Sequence, residues 1–146
     1  MLAFKSALLI LVFFATTSYT DRSLLVLAGY AAEIERLVVL PKGGGELACY
    51  ERHYVLLDND QFEEANGFRW EHSDTVVMAD YLLAFDNRQP GIVLHDGHEE
   101  MPQIEDGGCS VLGLLYVPGD PHAVQASCSL TWLGELPEKI EPPVTC

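Results

Sequence analysis

Positive charge is scarce in this sequence: its 146 residues hold 8 lysines and arginines against 22 aspartates and glutamates, a net charge of −14. A chain this poor in cations has little to neutralise phosphates or anionic headgroups, which excludes the usual electrostatic routes to nucleic acid and membrane surfaces. Catalytic frames are missing as well. There is no Gly-x-Ser-x-Gly elbow, and Ser110, Ser127 and Ser129 stand beside cysteines in apparent strands. The run Gly43-Gly-Gly45 is not followed by Lys and a Ser or Thr, so no phosphate-cradling loop is present. No two cysteines stand at Cys-x-x-Cys spacing, which argues against a zinc knuckle. With 22 carboxylates, chance pairs are certain, so acids close in sequence say nothing about glycoside chemistry. An enzyme is not expected, and a small secreted hydrolase is only a third choice. Asn59, Asn66 and Asn87 all lack the Ser or Thr of a glycosylation sequon.

Long apolar runs are also absent. Ala7–Ala15 follows the single cation Lys5 and precedes the small and polar stretch 16–20. About nine apolar residues in that order fit a secretory signal peptide, whereas a membrane span takes about 20. Cleavage is expected between Thr17 and Thr20, giving a signal peptide over 1–20 and one mature domain over 21–146. A second stretch, Leu24–Leu40, is broken by Gly29, Glu33, Glu35 and Arg36 and is too charged to cross a bilayer. The protein is therefore expected to be secreted, with no membrane association.

What the chain does contain is apolar residues, 49% of the total, enough to build a core in a single domain. Four mostly apolar segments run into a turn marked by Gly29, Asn59, Asn87 and Gly119, at steps of 30, 28 and 32 residues. They are Leu24–Tyr30, His53–Asn59, Tyr81–Asn87 and Leu112–Gly119, rich in Val, Leu, Tyr and Phe without strict alternation, as in strands covered on both faces. Second strand-like stretches follow at Ile34–Leu40, Ile92–Leu94 and Val124–Leu130, while Pro and Gly punctuate the spaces between. This pattern predicts an all-β domain of about four repeated antiparallel hairpins. The four cysteines suit an oxidising compartment. Of three pairings the favoured one joins Cys109 to Cys128, which bracket one hairpin, and Cys49 to Cys146.

At these residues the chain resembles degenerate kelch-type repeats of a β-propeller. Leu112–Pro137 carries Leu-Tyr-Val, a Pro-Gly turn, a second strand, then Trp132 and Leu136-Pro137. Arg69-Trp-Glu-His-Ser73 leads to Tyr81–Phe85 in the same manner, and Leu24–Leu40 is similar to an opening blade. The resemblance implies a scaffold that binds through its loops. A closed propeller needs at least four blades of four strands, more than this length supplies, so a partial propeller-like or β-sandwich arrangement is expected. Its sheet edges would then be open to self-association.

Two acidic clusters are candidate cation sites. His95-Asp-Gly-His98 with Glu99 could aim two imidazoles and a carboxylate at zinc or copper, and Asp58 with Asp60 could offer oxygens to calcium. Both read more simply as solvated acidic turns, so no cofactor is expected. Trp70 and Trp132 are the candidate interaction residues, since Trp dominates binding hot spots. The sequence thus points to a secreted binding module for a protein or glycan, with an extracellular calcium- or zinc-binding protein as the alternative.

Overall fold

Leu24, Leu27, Ala31, Ile34 and Val38 recur at steps of three and four, which aligns them on one stripe of a helix. In the computed structural model, which describes residues 19–71, 73–84, 88–104, 108–120 and 125–128, this stretch forms helix α1, Tyr19–Leu37. The strands expected at Leu24–Tyr30 and Ile34–Leu40 are therefore corrected: the three-and-four periodicity overrides the strand-like content of Leu and Val. Leu27, Ala31 and Ile34 are buried while Leu25 and Val26 point outward, as the stripe dictates. The expected signal cleavage falls at the start of α1 and leaves that stripe intact.

A second helix, α2, Asn59–Asn66, replaces the acidic turn expected at Asp58–Asp60. Its start is a capping box: Asp58 Oδ1 accepts the Gln61 backbone N–H at 2.8 Å, and Gln61 Oε1 accepts that of Asp58 at 3.1 Å. Gly67 ends it with φ +76°, a left-handed conformation suited to glycine, and donates to the Glu63 carbonyl.

The strands are β1, Tyr50–Asp58; β2, Thr75–Leu83; β3, Gly91–His95; β4, Val111–Tyr116; and β5, Gln125–Cys128. They form one sheet in the order β3-β1-β2-β4-β5. β3 runs parallel to β1, and every other neighbouring pair is antiparallel. The all-β expectation is thus corrected: the described residues form a five-stranded mixed sheet with two α-helices. Ile92–Leu94 is a strand as expected, but it crosses over to pair with β1 instead of folding back on β2. β4 and β5 do form the expected hairpin; of its outer stretch, Val124, Ser129 and Leu130 lie outside the described residues.

Each face of the sheet has its own core. On one, α1 covers Tyr50, Tyr54, Val77, Ala79, Tyr81, Leu112 and Leu114. On the other, Phe62 of α2 packs with Val55, Leu57, Val76, Met101 and Leu115. This double cover explains why the strands carry nearly unbroken apolar runs. Arg52, on the α1 side, pairs with Glu35 of the helix through Nε to Oε1 at 2.6 Å. Cys109 and Cys128 are bonded as expected, with Cα atoms 4.5 Å apart, and staple β5 to the turn before β4. Cys49 is also disulfide-bonded; its expected partner Cys146 lies outside the described residues. Among the described residues no helix is long and apolar enough to cross a membrane.

Candidate functional site

The segment between α2 and β2 is held by one buried side chain. Asn59, only 5% exposed, donates through Nδ2 to the carbonyls of Trp70 at 2.6 Å and Ser73 at 2.8 Å, and accepts the Trp70 N–H on Oδ1 at 3.0 Å. Its own N–H reaches the Asp74 carbonyl. Three side-chain bonds from one amide replace the regular pairing that a loop lacks, so the loop keeps a fixed shape. That shape presents aromatic side chains. Phe68 lies edge-on to both Phe62 and Trp70, at centroid distances of 5.1 and 6.1 Å, yet remains 41% exposed.

Opposite stands the turn after β4. Asp120 N–H bonds to the Val117 carbonyl, Pro118 occupies the second position and Gly119 takes φ +87° at the third, the pattern of a type II turn. Between this turn and Phe68–Glu71 lies a cleft of about 670 Å³ lined by Phe68, Trp70, Val117 and Pro118, with Glu71 and Asp120 as its acids. A smaller cleft of about 500 Å³ shares Arg69, Trp70 and Glu71 and adds Asn59, Ser73 and Asp74. Arg69, the cation of both, is engaged by Asp60 at 2.7 Å and Glu63 at 3.6 Å. The clefts are therefore aromatic with an acidic margin. Trp70 Nε1 is buried and has no hydrogen-bond partner among the described residues.

A second polar group occupies the β1–β3 end of the same sheet face. His53 Nδ1 lies 2.8 Å from His95 Nε2, His53 Nε2 lies 2.7 Å from Glu51 Oε1, and His95 Nδ1 lies 3.6 Å from Glu100 Oε2. Asp80 is the cross-strand partner of His53. Burial pushes its carboxyl up to about 6, partly offset by the charge of His98. Burial and then the charge of His53 lower the His95 pKa, against the pull of Glu100.

The structure separates several residues that lie together in the sequence. His95 turns to His53 and Glu100, His98 acts on Asp80, and the Glu99 carboxylate folds back over Gly97. Asp58 is the α2 cap and Asp60 pairs with Arg69. Among the described residues no three His, Cys, Asp or Glu side chains are arranged to hold one metal ion. Trp70 sits in the cleft wall; Trp132 lies outside the described residues. Sequence reasoning passed over Glu51, His53, Asn59 and Asp80. Asp80 has a visible signal, as the polar break within the otherwise apolar run of β2; His53 stands in the polar run Glu51-Arg-His53 that opens β1.

No family model, curated protein or solved structure matches this chain.

Proposed function

We propose that the protein is a secreted binding module that takes a basic segment of another protein into the cleft between Phe68–Glu71 and Val117–Asp120. The observation that carries this reading is the exposed Phe68 set against Trp70 on a loop clamped by Asn59. Exposed aromatics on a rigid frame lose little entropy on binding and supply contact area. Glu71 and Asp120 border the cleft, and Arg69 is already engaged by two acids, so the lining favours a Lys or Arg side chain lying along an aromatic face. The net charge of −14 would speed the approach of such a partner. The kelch-type resemblance implies the same mode, a scaffold binding through its loops.

Titration of the full chain with a labelled peptide of alternating lysine and leucine tests this reading. Saturable binding is expected, weakened by added salt and reduced about fivefold or more by Phe68→Ser or Glu71→Gln. Equal binding by both variants would reduce the interaction to nonspecific charge and overturn the assignment to the cleft. Preferential binding of a neutral oligosaccharide would move the assignment to glycans.

A further inference from the structure

We infer that His53 and His95 form a two-imidazole site for a late first-row divalent ion of the zinc or copper class. The facing nitrogens, His53 Nδ1 and His95 Nε2, come from adjacent parallel strands and stand 2.8 Å apart. Tetrahedral zinc with bonds of about 2.0–2.1 Å places two ligand nitrogens roughly 3.3 Å apart. The rings thus have to part by about 0.5 Å and tilt from their nearly parallel setting of 13°.

The flanking carboxylates say which ring gives way. Glu51 already holds His53 Nε2 at 2.7 Å, a full hydrogen bond that anchors that ring. Glu100 stands 3.6 Å from His95 Nδ1, beyond hydrogen-bond length. A retreat of the His95 ring by about half an ångström opens the gap between the imidazoles and brings Nδ1 toward bonding distance of Glu100. Each imidazole then binds the ion through one nitrogen and donates from the other to a carboxylate, the outer arrangement that fixes tautomer and strengthens His ligands. The hydrogen shared by the two rings leaves His95 Nε2 and, by exchange through solvent, His95 carries it on Nδ1 instead; the ion takes its place between the rings, and solvent fills the remaining positions.

His95 ends the outermost strand and Glu100 is half exposed, which leaves a way in for the ion. Imidazole nitrogens select copper and zinc over calcium and magnesium, which prefer oxygen. This site differs from the grouping of His95, His98 and Glu99 expected from sequence: its second ligand comes from β1, 42 residues away.

The test is titration of the full chain with zinc, and separately with copper(II), each in a large excess of calcium to saturate the surface carboxylates. One saturable site is expected, weakened about tenfold or more by His95→Gln, severalfold by Glu100→Gln, and unchanged by His98→Gln. Glu100→Gln is a surface change, so it tests the site even if a substitution at buried His53 disturbs folding. Absence of a saturable site, equal affinity in His95→Gln, or an equal loss in His98→Gln would overturn the proposal.

Discussion

Tyr54 of β1 donates its hydroxyl hydrogen to Glu35 of α1 across 2.9 Å, on the oxygen that also holds Arg52. Since that hydrogen is committed, the Tyr81 hydroxyl, 2.7 Å away, donates to the Tyr54 oxygen. Burial first, then the neighbouring Tyr81 and Glu35, raises the Tyr54 pKa far above its ordinary value; burial pushes Tyr81 up to about 12, against the lowering effect of its bond with Tyr54. Glu35→Leu should therefore leave the Arg52 charge unpaired in a mostly buried place and destabilise the fold by roughly 3 kcal/mol. Glu35→Leu combined with Arg52→Met should recover most of that loss, because the desolvated charge goes too. Urea unfolding of the two variants measures the difference; equal losses would show that the pair is not coupled.

The Cys109–Cys128 bond closes a loop with a sequence separation of 19. Constraining such a loop in the unfolded chain contributes about 3 kcal/mol in the loop-entropy account. Replacing both residues with alanine should lower the denaturant midpoint accordingly, with a somewhat steeper slope because the freed unfolded chain exposes more surface. A loss below about 1 kcal/mol would place the stability of the β4–β5 hairpin in its packing instead.

Asp80 gives a pH dependence of definite sign. Its carboxyl is pushed up to about 6 from an ordinary 3.8, so between these values the folded state holds more protons than the unfolded one. Stability should fall as pH rises from about 4 to about 6 on this account, and the penalty should persist at neutral pH. Asp80→Asn should remove that dependence and be more stable at pH 7 by on the order of 2 kcal/mol, given a half-buried site. Thermal melts of both proteins at pH 4 and pH 7 check the sign; a wild type that gains stability over this interval relative to Asp80→Asn contradicts it.

Asn59→Ala removes the clamp on Trp70 and Ser73 and leaves two carbonyls and an N–H without their partner. Destabilisation of about 2–3 kcal/mol is expected, together with weaker binding of the lysine-leucine peptide at temperatures where the variant is still folded. If stability drops while peptide affinity holds, the loop's shape does not matter to the cleft.

The sequence made some of this legible and hid the rest for physical reasons. Strands at His53–Leu57, Tyr81–Leu83 and Leu112–Tyr116 were readable because buried strands concentrate Val, Leu and Tyr in short runs between breakers. The Cys109–Cys128 bond followed from its place around one hairpin. Helix α1 is masked by the strand-like composition of its residues, although their spacing of three and four is helical. Helix α2 is signalled by Asp58 and Gln61, which spell a capping box, and by Gly67 at its end, but its acids Asp60, Glu63 and Glu64 also fit an acidic turn, so composition alone does not separate the two. The parallel pairing of β3 with β1, and with it the contact of His53 and His95, leaves no local trace: it depends on a crossover that only the folded sheet reveals.

In the order β3-β1-β2-β4-β5, the middle of the sheet is assembled before its far side exists. A ribosome that has delivered everything up to Met101 has made β1, β2 and β3, but the margin of β2 that will meet β4 is still bare, with Val77, Ala79 and Tyr81 lacking their later neighbours. Premature termination in that interval would release a sticky intermediate with an unpaired flank, so quality control of this chain turns on whether its last third arrives.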